Sequence, residues 1–296
     1  MSKVNELFDQ KLAVVNFGIE SFYQDQVKQN TQAVHVDWKP VAGGDKKIAR
    51  CLKDLKRPEL LEKITAANQE ALKRILSAQP VLVGMSTAGE AIPDMTPTTI
   101  LHAGPPVAWE NMCGPVRGAV MGGLIYEGLA KDLKEAEELA ASGKITFSPC
   151  HHHDAVGPMA GIVTYHMPVW HVVNKTYNTH AYCTMNEGLG KVLRFGACDQ
   201  EVFDRLNRME KEYYPVIKEA LELHGEIDMK VMIAQALQMG DEGHNRNKAG
   251  TSLLLREIAQ DIYNTHFSRE QQEAAFKFLN DNDHTFLNLT MPSCKC

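Results

Sequence analysis

Paired cysteines, a membrane-length apolar run and a basic stripe are all missing from this sequence. The seven cysteines, at 51, 113, 150, 183, 198, 294 and 296, are odd in number and share no paired spacing. With 13 methionines they fit a reducing compartment better than a disulfide framework. The longest apolar stretch, Gly118 to Tyr126, is closed off by Arg117 and Glu127. It falls well short of the roughly 20 residues that a spanning helix needs. The opening MSKVNELFDQ lacks the apolar core of a signal peptide, so a cytoplasmic location is expected, with no membrane partner. Lys and Arg total 31 against 37 Asp and Glu, a net charge of −6, and nucleic acid is not an expected partner. No GxGxxG follows a strand pattern, and neither a GxSxG elbow nor a kinase signature is present. Gly188-Leu-Gly190-Lys191 is not a nucleotide P-loop. That loop would need Gly at 185 and Ser or Thr at 192, where Met185 and Val192 stand.

What is present is ordinary globular material, 44% hydrophobic and 23% charged over 296 residues. Three regions of different character predict a mixed α/β fold. Residues 1–95 alternate strand and helix signals: Leu12–Val15, an amphipathic stretch Ile19–Gln29, the alternating Ala33–Trp38, a long helix from Pro58 to Ala78, and the buried-strand run Pro80–Gly84. Residues 96–198 are rich in Gly, Pro and His. Short strands are expected at Thr99–Leu101, Lys144–Phe147, Ile162–Tyr165, Val169–Val173 and Ala181–Thr184, with a helix over Trp109–Ser142 that breaks near Lys131. Residues 199–296 read as helices at Glu201–Leu223, Met229–Met239, Arg246–Thr265 and Gln271–Leu279. The sequence closes on Leu287-Asn-Leu-Thr-Met-Pro-Ser-Cys-Lys-Cys296. An apolar end without a polar tail is what a chain cut inside a folded element would show.

Four segments could carry chemistry. In Leu101-His-Ala-Gly-Pro-Pro106 and the following Trp109–Arg117, a strand ends in His102 before a rigid loop. His102 could act as acid or base, or be a hydrogen-bonded core histidine. Arg117 could hold a carboxylate or phosphate, or make a structural ion pair. Gly114, Gly118 and Gly122 form one stripe on the next helix, which asks for a closely packed backbone or a ligand in the groove. The second segment, Cys150-His-His-His-Asp154, gathers transition-metal donors. Read as extended chain, it puts only Cys150 with His152, or His151 with His153, on one side, and no zinc-spaced companion exists. An acid–base role for His153 and a plain polar turn are the other readings. The third segment runs through Asn174 to Asn186-Glu-Gly-Leu-Gly-Lys191 and Arg194. A Gly-rich turn opening a helix, with Lys191 and Arg194 beside it, could bind an anion or simply start a helix. The fourth, Met239-Gly-Asp-Glu-Gly-His-Asn-Arg-Asn247, would as helix place Asp241, His244 and Asn245 on one side and pair Glu242 with Arg246. A capped interhelical turn is the alternative.

Together with Val36-Asp-Trp-Lys-Pro40, Ala42-Gly-Gly44 and Val156-Gly-Pro-Met-Ala-Gly161, these segments in this order resemble the YlbE/YahG-like bacterial family. Its members include the AllG-type subunit of oxamate carbamoyltransferase. The resemblance runs from about residue 10 to the end. Family members continue well past the Leu-Asn-Leu-Thr-Met segment, so this chain matches the first two thirds of one. The resemblance implies a multi-domain mixed α/β protein with an FdrA-type partner subunit. For some members it implies carbamoyl transfer between oxalurate and phosphate, giving oxamate and carbamoyl phosphate. The Ser86-Thr87 pair lacks the Arg of the Ser-Thr-Arg-Thr signature found in ordinary aspartate- and ornithine-type carbamoyltransferases, so those standard sites are not expected.

Such a reaction gathers two anions and protonates a departing amide nitrogen, which calls for cations, N–H donors and a histidine. The expected acids are His102, His153 and His244. The expected substrate-holding groups are Arg117, Asn174, Asn186, Lys191, Arg194, Asp241, Asn245 and Arg246. No cofactor and no metal are required, and an oligomer in a ureide-degrading complex is expected. Two other readings stay open: a non-catalytic scaffold for the partner subunit, and a metal-dependent hydrolase built on Cys150 to Asp154.

Overall fold

A short β-branched run, a helix and a second such run form a parallel strand pair, because parallel neighbours need a crossover between them. In the computed structural model, which describes residues 11–157, 161–238 and 246–296, these are β1 (Ala13–Phe17), α1 (Glu20–Lys28) and β2 (Gln32–Val36). The chain divides into two units, 1–76 and 77–296. In the first, the register Val15↔Val34 and Phe17↔Val36 lays apolar side chains along one face of the pair. Then come α2 (Lys46–Leu55), opened by the Asp45 carboxylate accepting from the Lys47 and Ile48 amides, and α3 (Pro58–Ser77), with proline at its start. Among the described residues of this unit none is buried. Val15, Phe17, Val34, Ile48, Leu52 and Leu55 all stand exposed.

The second unit holds the core. Its strands and helices follow as β3 (Pro80–Thr87), α4 (Ala88–Ala91), β4 (Thr99–His102), α5 (Gly114–Tyr126), α6 (Leu133–Ala141), β5 (Thr146–Pro149), β6 (Ala155–Val156), β7 (Ile162–Val163), β8 (Pro168–Asn174), β9 (Thr179–Thr184), α7 (Gln200–Arg208), α8 (Tyr214–His224), β10 (Ile227–Asp228), α9 (Met229–Gln238), α10 (Arg246–Asn264), α11 (Arg269–Asp281) and α12 (Leu287–Lys295). The five-stranded sheet has the order β10-β3-β8-β9-β6 and the smaller one β5-β4-β7, and both mix parallel and antiparallel pairs. The fold is mixed α/β, with a helical C-terminal part. Leu82, Trp170 and Val172 from the large sheet pack with Val216, Ile217, Leu254 and Ile258 from the helices over it.

The break expected near Lys131 in the Trp109–Ser142 helix separates α5 from α6, and Trp109–Asn111 is a 3-10 turn of its own. Gly128, at φ +71°, ends α5, and the Asp132 carboxylate caps α6. Cys150–His153 is a 3-10 turn and not the extended segment its neighbours suggest. Between α7 and α8 the rod passes through a π-helical turn, Met209–Tyr213, which no break in the hydrophobic pattern announces.

The glycine stripe on α5 resolves by position. A Cβ on Gly118 would lie 2.3 Å from the Gly196 carbonyl oxygen, and one on Gly122 would lie 2.4 Å from Leu193 Cδ1, whereas Gly114 faces open space. The helix therefore packs backbone to backbone against the 193–198 turn. That contact seats the site described next.

Candidate functional site

Beyond β9 the chain turns sharply, and its buried polar groups are held from three directions. Asn186 is buried. Its Nδ2 donates to Asn288 Oδ1 at 2.8 Å, its Oδ1 accepts from the Gly188 amide at 2.9 Å, and its carbonyl accepts from Asn282 Nδ2 at 2.6 Å. Asn288, on α12, in turn donates to the Thr184 carbonyl at 2.7 Å. The Glu187 carboxylate accepts from the Leu193 amide at 2.7 Å and the Arg194 amide at 3.2 Å, closing the loop upon itself.

Arg194 is the exception in this otherwise satisfied network. The residue is 7% exposed, and one nitrogen, Nη2, donates to the Gly188 carbonyl at 2.5 Å. The guanidinium lies 5.0 Å over the Phe195 ring. Nε and Nη1 are buried, and among the described residues neither has an acceptor. A buried donor left unmade costs about 1–3 kcal/mol, and more when charged. Such an arrangement marks a place where something else can supply the acceptor.

Arg194 lines a cavity that Thr184, Glu187, Asn288 and Tyr126 share with the apolar side chains of Ile162, Met167, Met185, Leu193, Leu206 and Met209. The free room inside it is about 30 Å³. Burial pushes the Glu187 carboxyl above its ordinary pKa, opposed by its two backbone N–H bonds and by Arg194. Burial likewise draws Arg194 down, with the Glu187 charge opposing. Tyr126 donates to Glu210 Oε2 at 2.7 Å, and burial together with that carboxylate holds its phenol well above the usual range. A cation with unfilled donors, facing a carboxyl inside an apolar wall, can hold one small oxyanion.

The expected residues distribute unevenly. Asn186 and Arg194 meet in this turn. Lys191 is exposed nearby, its ammonium 3.2 Å from Asp199. His102 is buried at the end of β4, with Nδ1 on the Ala103 carbonyl at 2.9 Å and Nε2 without a partner. It pairs across the sheet with Ile162, so its side chain stands on the same face as that cavity-wall residue. Arg117 donates to the Glu110 carbonyl at 2.8 Å and stacks 5.1 Å over Trp109, with Nε buried and unpartnered. His153 has both ring nitrogens engaged, with the Pro93 carbonyl at 3.1 Å and Ser148 Oγ at 2.8 Å. Asn174 is spent on the fold: Oδ1 takes the Gln79 and Thr176 amides, and Nδ2 gives to the Cys296 carbonyl. Arg246 is exposed at the first position of α10. Asp241, His244 and Asn245 lie outside the described residues.

In the Cys150–Asp154 segment, burial raises the Cys150 thiol to about 12, and the His151 and His152 rings meet edge to face at 4.5 Å. Among the described residues no group of three His, Cys, Asp or Glu side chains is placed to hold a metal ion. No described helix is long and apolar enough to cross a membrane.

Sequence reasoning missed Glu187, Tyr126, Glu210 and Asn288. Glu187 stood beside Asn186 in the same Gly-rich segment and could have been chosen. Asn288 is 102 positions from its partner Asn186, and no local pattern signals it.

Comparison with known proteins points one way. The family model described as oxamate carbamoyltransferase subunit AllG matches residues 145–296, which include the whole 184–194 turn and Asn288. The chain is 49% identical over 289 residues to the uncharacterized protein YahG of Escherichia coli (strain K12), covering 98% of this chain and 61% of YahG. It is 40% identical over 234 residues to the oxamate carbamoyltransferase subunit AllG of the same organism, covering 78% of this chain and 56% of AllG. A crystal structure of a conserved protein of unknown function from Enterococcus faecalis V583 superposes with a TM-score of 0.78 at 50% identity, covering 81% of this chain and 57% of that one. The chain thus spans about three fifths of the length of the curated relatives it matches.

Proposed function

The chain belongs to the AllG family, and from that membership we propose that it is a subunit of a carbamoyl-transferring complex that works on small anions. The proposed reaction is phosphorolysis of oxalurate. A phosphate oxygen attacks the ureido carbonyl, the C–N bond to the oxamate nitrogen breaks, that nitrogen takes a proton, and oxamate and carbamoyl phosphate result. An FdrA-type subunit is the proposed partner and the cytoplasm the proposed location.

The observation that supports this reading most directly is Arg194, a buried cation whose Nε and Nη1 have no acceptor. Behind a largely apolar wall such a group interacts with an anion more strongly than in water. His102 gives its Nδ1 proton to the Ala103 carbonyl, so its free Nε2, on the same sheet face as Ile162, is proposed first to take a proton and then to pass it to the leaving nitrogen. His153 would reach substrate only by giving up Ser148. Arg117, Lys191 and Arg246 are proposed as further anion contacts, with Asn186 positioning the turn and Asn174 supporting the strand end. His244, Asp241 and Asn245 keep their proposed roles as acid and substrate-orienting groups.

The test is an assay of carbamoyl phosphate formation from oxalurate and phosphate, using the full-length protein with its partner subunits. Arg194→Gln should lower kcat/KM at least 100-fold. If no combination of subunits makes carbamoyl phosphate, the reading is wrong.

A scaffold role is favoured by a different observation. The α2 helix exposes Ile48, Leu52 and Leu55 beside Lys46, Lys47, Arg50 and Lys53, a surface suited to a partner with an apolar centre and an acidic rim. Leu52→Asp should then abolish co-purification with the partner subunit, while Arg194→Gln should leave turnover untouched.

A further inference from the structure

The size and surroundings of the Arg194 cavity narrow what it can hold, granting the reading of Arg194 as an anion-binding group. The free room in it is small, about 30 Å³, which favours a compact group. Around Arg194 and Glu187 the wall is mostly thioether and aliphatic carbon, from Met167, Met185, Leu193 and Met209. A flat group with two oxygens, charge on those oxygens and little else fits this description.

The lining residues also bear on the way in. Glu187 lines both this cavity and an open groove bordered by Gly188, Leu189, Arg205 and Asn282, so the segment from 187 to 190 is the partition between them. Gly188 and Gly190 both adopt φ near +90°, the region that favours glycine, and Leu189 between them is 66% exposed. Gly188 is tied down by its amide on Asn186 Oδ1 and by its carbonyl on Arg194 Nη2. An anion arriving at Arg194 competes for the guanidinium that secures the partition.

We infer that the Arg194 cavity is a receptor for the carboxylate end of a small ligand, which enters from the open groove past the Gly188–Leu189–Gly190 loop. The rest of the ligand would remain in the groove. Phosphate, if this subunit meets it, would bind elsewhere.

Formate, oxamate and inorganic phosphate serve as probes for titration calorimetry and thermal-shift measurements on the chain. Formate and oxamate should bind and raise the melting temperature, while phosphate at equal ionic strength should not. Arg194→Gln should weaken formate binding at least ten-fold. Should that variant fail to fold, crystals of the unsubstituted chain soaked in formate decide: formate on Arg194 Nε or Nη1 supports the inference, and ordered water alone overturns it. Equal binding of phosphate and formate overturns the carboxylate assignment, as does binding that survives Arg194→Gln. For the entry route, Leu189→Cys carrying a bulky maleimide should slow formate association at least ten-fold relative to the unsubstituted chain treated with the same reagent. An unchanged rate overturns that route. These readouts need no turnover, so a complex that proves inactive in carbamoyl transfer leaves them standing.

Discussion

Asn174 and Asn186 are both buried asparagines beside the ends of adjacent strands, yet their surroundings differ in one respect. At Asn174 every hydrogen bond is answered within the protein: two amides in, one carbonyl out. At Asn186 the network is equally dense, but it leads by way of Gly188 to a guanidinium with donors to spare. The first is a latch for the β8–β9 turn, and the second borders a receptor. Buried polarity by itself therefore does not mark a site; the unanswered group within it does.

Gly118→Ala should have the largest effect. Its added Cβ meets backbone at 2.3 Å, which neither partner can easily yield. Overpacking of this kind costs about 3 kcal/mol or more, and it should unseat the 193–198 turn and abolish formate binding. Amide exchange should rise at Leu193 and Arg194 while the Asn174 turn stays protected. If both turns loosen together, they are one cooperative element and the contrast fails.

Asn174→Ala strands the Gln79 and Thr176 amides, while the Cys296 carbonyl keeps Thr179 Oγ1, so a loss of about 2 kcal/mol in urea denaturation is expected, with formate affinity unchanged. Arg194→Gln should do the reverse: formate binding goes, and stability without ligand changes less than for Asn174→Ala, since two buried donors without acceptors are removed with the guanidinium.

Glu187 sharpens the contrast through pH. Its pKa is raised in the folded chain, so its contribution to stability is complete below the unfolded carboxyl value and is lost as pH rises through the folded value. Glu187→Gln should flatten that part of the stability–pH curve, as followed by denaturation from pH 4 upward. A curve of unchanged slope would mean that Glu187 ionises freely. Lys191→Ala, at an exposed pair with Asp199, should leave the denaturation midpoint within experimental error.

Parts of this arrangement were legible in the residues. The strands at 99, 146, 162, 168 and 179 announced themselves by apolar runs between turn residues, and the break expected near Lys131 falls between α5 and α6. Asn186 and Arg194 were identifiable because a Gly-rich turn with cations follows a strand. The emptiness of Arg194 was not, since it depends on what α5, α7 and α12 leave unfilled. The occupied state of His153 was equally hidden: its Pro93 partner lies 60 positions away and acts through a carbonyl that any residue would carry. The 3-10 turn at Cys150–His153 defeated the face argument because side chains there do not alternate as they do in a strand.

The π-helical turn at Met209–Tyr213 sets the phase of the rod that contains it. Each residue of an α-helix advances the side chains by about 100°. Were these same residues wound as ordinary α-helix, everything downstream would swing by about that angle. Val216, Ile217, Ala220 and Leu221, now turned inward on α8, would then point away from β3 and α10. The surplus residue works as a fixed angular offset between two helical segments, letting the one before it present Leu206 to the cavity while the one after it roofs the large sheet.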